Sequence, residues 1–188
     1  MPDKEIKELQ DVAFRKIGRN LVNFQQLERL LKLIIVRSDV QGCASELAKI
    51  LRDKDKNIDC KTLGLLVRDF FQSVYSNRLS YDGSLNDVDD VWVSICVTVK
   101  SNSIEHQERQ LRELVKERNL LVHGLLAHFD LDSVENCEKL IHLLDDQVDR
   151  LEPQYQSLMD IIGSMKVVQQ EVLKQLDEWR ESAQEDVV

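Results

Sequence analysis

Long apolar runs are missing from this chain: nowhere do about 18 apolar residues follow one another, which excludes a transmembrane helix. The opening MPDKEIKELQ lacks the apolar centre of a signal peptide, so the expected location is the cytoplasm. Cysteine is sparse and scattered, at Cys43, Cys60, Cys96 and Cys137, with no C-x-x-C pair. That sets aside a zinc ribbon or a disulfide framework and points to a reduced interior. There is no glycine-rich phosphate loop, no H-E-x-x-H pair and no Ser-His-Asp signature, so neither a metal nor a cofactor is expected. Internal repeats and low-complexity linkers are also lacking.

What is present is enough for one domain with an appendage. Over 188 residues, 43% are apolar and 31% charged, which suits a packed core rather than a disordered chain. The formal charge of −9 is unevenly placed. From Asp130 onward there are 15 acidic and 5 basic residues, which leaves 19 and 20 in residues 1–129. The acidity belongs to the C-terminal arm. The remainder is near neutral and has room for a local basic surface.

Read in order, residues 5–38 predict a long helix. Ala13, Ile17, Asn20, Phe24, Leu27, Leu31 and Ile34 recur at spacings of four and three and line one face. A second helix is expected over Ala44–Arg52, then a polar loop DKDKNID, then a third helix over Thr62–Tyr75. In DVWVSICVTVK the period changes to two, with Val91, Val93, Ile95, Val97 and Val99 on one side, which predicts a strand. The preceding RLSYDGSLND carries Asp-Gly turn chemistry, so a small β-hairpin insertion is expected at about 77–100. A helix over about 104–126 follows. From Val134 the chain shows a heptad seam through Cys137, Ile141, Leu144, Val148, Leu151, Tyr155, Leu158, Ile162, Met165, Gln169, Val172, Leu176 and Trp179. Pro153 falls within it and is expected to kink it. The fold class is therefore an all-α helical bundle with a small β insertion and a long C-terminal heptad helix. Residues 1–150 form the expected domain, and 151–188 an acidic arm that packs on the bundle or on a partner.

The 104–126 helix carries the chemistry. Leu111, Val115, Arg118, Val122 and Leu125 alternate by four and three and predict a packing face with a permanent cation in its middle. Arg109, Arg112, Lys116, Asn119 and His123 form a second, largely basic track. Arginine keeps its charge wherever it sits, so on a packing face it needs an anionic partner. That partner is either a carboxylate from another helix or a phosphate from outside. Arg118 and His123, five apart, lie about 140° apart on an ideal helix, so only the long arginine side chain would bring them together.

Arg118-Asn119-Leu-Leu-Val-His123 resembles the signature of the HEPN superfamily of small helical proteins: an arginine, four to six residues and a histidine, the first of the intervening residues often polar. The strict match covers six residues, and the helical layout of about residues 1–150 fits loosely. The resemblance implies a homodimer whose motif helices meet across a two-fold axis. It also implies a metal-independent endoribonuclease, often a toxin or antiviral-defence component with a partner such as an antitoxin. In that reading Arg118, Asn119 and His123 are catalytic. His123 is the acid or base for the ribose 2′-hydroxyl, Arg118 binds the scissile phosphate, and Asn119 orients the ring or the phosphate. Arg109, Arg112 and Lys116 would follow the RNA backbone. Some family members carry a tyrosine two residues after the histidine, where Leu125 stands here, so regulation by modification of that tyrosine is not implied.

A second function class remains open: a non-catalytic helical scaffold that binds a partner through its C-terminal heptad helix. His106, His128 and His142 read as solvated or capping residues. Asn20 reads as a satisfied buried amide, and Trp92 and Trp179 as packing anchors.

Overall fold

The computed structural model describes residues 2–43, 45–75, 92–99 and 103–185. It is mostly helical, with one small two-stranded antiparallel sheet. Helix α1 spans Pro2–Ser38 and runs directly into strand β1, Asp39–Cys43. Helices α2 (Leu47–Asp59) and α3 (Leu63–Val74) follow, then strand β2 (Trp92–Cys96) and helix α4 (Ile104–Asn119). A wide π turn over Leu120–Gly124 leads into the short α5, Leu125–His128, and helix α6 runs from Val134 to Glu185.

The stripe read on α1 is the core of the molecule. Ala13, Phe24, Leu27, Leu31 and Ile34 are at most 1% exposed, and Ile17 packs against them. They meet Leu140, Leu144, Leu151, Leu158 and Ile161 of α6, Leu66 and Phe70 of α3, and Leu111 and Leu114 of α4 in one cluster. Helices α1 and α6 lie side by side in the same direction: Gln10 reaches the carbonyl of Leu131, while Asn20 reaches that of Leu144. At the start of α6, the Ser133 hydroxyl accepts from the Asn136 amide at 3.5 Å, which caps the helix.

Several expectations change. The segment DKDKNID is the second half of α2, not a loop. Leu47, Leu51, Lys54 and Ile58 share its inner face; Ile58 is buried, and the Lys54 ammonium emerges to bond the Asp39 carbonyl. The strand exists, but its partner in the structure is distant. Strand β2 pairs antiparallel with β1, with Gly42 opposite Val93 and Val40 opposite Ile95. The Asp82-Gly83 turn proposed for a local hairpin lies outside the described residues, as does most of 77–100. Trp92 is 37% exposed and anchors no core.

Helix α6 continues without a break through Pro153. The division at 150/151 falls inside it, and Leu151, Leu158, Ile161 and Ile162 belong to the same core as the rest. Its buried row is rotated from the one expected. Cys137, Leu144, Leu151 and Leu158 are buried as read, but they are joined by Leu140, Gln147, Gln154 and Ile161. Ile141, Val148 and Tyr155 are only half-buried. The two glutamines turn inward because α1 and α4 offer them polar partners.

Asp69 contributes to how the fold's stability depends on pH. Asp69 of α3 is pushed up by burial, but Lys61 at 2.6 Å and Arg68 at 3.0 Å more than offset this. The net result is a carboxyl held below its usual 3.8. A depressed folded value means that this contribution is complete above the ordinary carboxylate range. It is lost as pH falls through the folded value. Asp69→Asn is therefore expected to flatten the acid limb of the stability curve below about pH 4. Urea denaturation of parent and variant at a series of pH values measures this, and an unchanged acid limb refutes it.

Candidate functional site

Leu111, Leu114, Leu121 and Leu125 are the buried residues of the motif helix. Arg118 stands in line with them, one turn from both Leu114 and Leu121. Val115 is half-buried and Val122 is 43% exposed, so the packing face is turned slightly from the one expected. The cation in an apolar row is real. It is accommodated by reaching sideways rather than by full burial, with 30% of the Arg118 side chain exposed.

Its internal partner is Glu28 of α1. The Arg118 Nε lies 3.8 Å from Glu28 Oε1, an ion pair too long for a hydrogen bond. Arg118 Nη1 donates to Asn119 Oδ1 at 3.4 Å. The guanidinium thus has a carboxylate near it but is not clamped by a bidentate pair.

The second track is exposed along its whole length: Arg109, Arg112, Lys116, Asn119 and His123 all face solvent. The structure brings Arg118 and Asn119 into contact, and it sets His123 inside the π turn. An i→i+5 turn winds fewer degrees per residue than an α-helix, so the 140° offset expected between Arg118 and His123 shrinks. Gly124 closes this turn, and a Cβ placed there would lie 3.0 Å from Leu120 Cδ1.

The track's cations are largely matched on their own helix. Arg112 pairs with Glu108 at 2.5 Å and Lys116 with Glu113 at 2.7 Å. Arg109 lies 3.0 Å from the His106 ring nitrogen Nδ1. Exposed pairs of this kind contribute little and exchange readily with a stronger anion. His106, His128 and His142 are on the surface, as read.

Sequence reading missed Glu28, and it missed the polar network that holds α4. Glu117 accepts from Gln147 Nε2 at 3.2 Å and from Arg150 Nε at 2.8 Å. Gln147 Oε1 in turn accepts from Asn20 Nδ2 at 2.8 Å, inside the core. The residue just before Arg118 is thereby tied to both long helices. Asn20 and the run Glu117-Arg118-Asn119 were the available signals, because a core amide must find partners.

Among the described residues, no group of three or more His, Cys, Asp or Glu is placed to hold a metal ion, and no helix is long and apolar enough to cross a membrane. Comparison with known protein families, curated proteins and solved structures finds no match for this chain.

Proposed function

We propose that the chain is a metal-independent endoribonuclease of the HEPN type, acting as a toxin or antiviral-defence component. Arg118, Asn119 and His123 carry the chemistry. The observation that carries this reading is the solvent-open imidazole of His123 in a π turn, following a guanidinium that an internal glutamate holds only at 3.8 Å. Turns of this width recur at functional sites. A phosphate oxygen offers Arg118 the short, planar contact that Glu28 does not make.

In this mechanism one imidazole takes the ribose 2′-hydroxyl proton, and the oxygen attacks the neighbouring phosphorus. The bond to the 5′-oxygen breaks, leaving a 2′,3′-cyclic phosphate and a 5′-hydroxyl. The proton that completes the 5′-hydroxyl comes from the imidazolium of a second copy. Val122, an exposed apolar residue beside His123, would be covered in a dimer across this helix. Arg118 stabilises the charge on phosphorus, while Arg112 and Lys116 exchange their glutamate partners, and Arg109 its His106 contact, for the RNA backbone. A partner protein, such as an antitoxin, covers this face until release.

A single-stranded RNA incubated with the protein in EDTA is expected to be cut to fragments ending in cyclic phosphate. His123→Ala, with an unchanged circular dichroism spectrum, is expected to leave the RNA whole. Equal cleavage by parent and variant, or none by either at high protein concentration, rules the nuclease out.

The alternative has its own observation. Arg112, Lys116 and Arg118 all have carboxylates from the same chain beside them, as a scaffold without a phosphate ligand would. In that reading the C-terminal part of α6, with Val167 and Val168 exposed, binds the partner.

A further inference from the structure

Glu28 does more to the motif than leave Arg118 loosely held. A guanidinium is planar and presents two donor edges, one through Nε and one through the pair Nη1 and Nη2. In this chain Nε is the atom that faces Glu28 Oε1, at 3.8 Å. Among the described residues the other edge holds one long bond, from Nη1 to Asn119 Oδ1 at 3.4 Å. An anion that reaches Arg118 therefore takes the Nη1–Nη2 edge and displaces a weak contact. Glu28 stays across the same planar group, a fixed negative charge behind the cation.

The pair is shielded enough for that charge to matter. The Glu28 side chain is 22% exposed and that of Arg118 30%, so water screens them only in part. The neighbouring charges are already matched: Arg112 with Glu108, Lys116 with Glu113, and Glu117 with Arg150. A phosphate group at Arg118 thus meets one positive charge and, a few ångströms behind it, one negative charge.

Resting on the nuclease reading above, we infer that Glu28 is a specificity-determining residue. It makes the site take the singly charged phosphodiester within a strand over the doubly charged phosphomonoester at a strand end. The second charge of a monoester is attracted by Arg118, but Glu28 cancels much of that gain. Stripping water from a dianion also costs more than stripping it from a monoanion. Without the carboxylate Arg118 is a plain cation, and a plain cation favours the dianion.

The probes are 2′-deoxyadenosine 3′-phosphate and its methyl ester, which share one nucleoside and differ by close to one charge at pH 8. Neither has the 2′-hydroxyl that cleavage needs, so ligand-observed NMR with the full-length protein reads binding alone. The parent is expected to bind the methyl ester at least as tightly as the monophosphate. Glu28→Gln is expected to favour the monophosphate by about fivefold or more, as removal of one nearby charge allows. Glu28→Ala, which adds no donor, is expected to do the same, while Glu28→Asp keeps the parent's preference. Arg118→Gln is expected to weaken both probes about tenfold. The role of Glu28 is overturned by an unchanged preference in Glu28→Gln and Glu28→Ala, or by a parent that already favours the monophosphate as they do. Binding that survives Arg118→Gln, or no binding of either probe, overturns it as well. A parent that shows the preference but leaves RNA whole in EDTA keeps this role and loses the nuclease. One that cuts RNA without the preference loses this role alone.

Discussion

Gly42→Val is expected to lower stability by about 1–3 kcal/mol, a sizeable share of an ordinary domain's margin. Gly42 is the fourth of the five residues of β1, with φ at +153°, a backbone state that side-chain-bearing residues rarely adopt. Forcing valine into it costs about 1–3 kcal/mol in strain. A Cβ built there overlaps Ile50 Cδ1 of α2, the far end of a half-buried side chain that must swing aside. Gly42 faces Val93 in the ladder, which makes β1–β2 pairing the element most exposed to the change. Gly18→Ala is the control. It sits in α1 with nothing within 4 Å of the added carbon, and there the methyl group is expected to stabilise by about 0.5–1 kcal/mol. Thermal denaturation of both variants checks the pair. Equal Tm values would mean that the backbone at Gly42 is not constrained.

The helical layout is legible because apolar spacing is a local property. The stripe from Ala13 to Ile34 needs no knowledge of what covers it. The sheet is different. Strand β2 announces itself by alternation, but β1 is five residues, one of them glycine, continuing α1 without a break. Nothing local pairs Val40 with Ile95, since that contact is set by where α3 and α4 return the chain. Within α2 the stripe passes through Lys54, whose aliphatic stem packs while its ammonium escapes, so a rule that counts only apolar letters stops too early.

The candidate site was legible in residue type and only partly in geometry. An arginine on an apolar row signals a partner, but its identity, Glu28, has no signature on α1. The exposed track from Arg109 to His123 follows from helical spacing. The π turn does not, because it depends on how Leu121 and Leu125 are both kept in the core across Gly124. On α6 the choice of Val148 and Tyr155 over Gln147 and Gln154 follows hydropathy. The fold reverses it because neighbouring helices bring amides and a carboxylate to meet the glutamines.

Those amides give the second large effect. Asn20→Ala is expected to cost about 2–4 kcal/mol, although it replaces a polar core residue with an apolar one. Asn20 is fully buried, and its Nδ2 donates to both the Leu144 carbonyl and Gln147 Oε1 at 2.8 Å. Removing it leaves the Gln147 oxygen, on a residue 1% exposed, without its donor, and opens a gap between α1 and α6. If the penalty comes from that stranded partner, replacing both members recovers it. Asn20→Leu with Gln147→Met should fold within about 1 kcal/mol of the parent, because apolar groups then meet across the interface. The coupling between the two sites should reach about 1–3 kcal/mol. Urea titrations of the two single variants and the double variant close the cycle, and simple additivity would show that the amides do not act together. Glu117 keeps Arg150 in the double variant but loses Gln147, so this residue is held to α6 by one contact instead of two. Stability can thus be restored while the anchor beside Arg118 is weakened, and this separates what the network does for the fold from what it does for the motif.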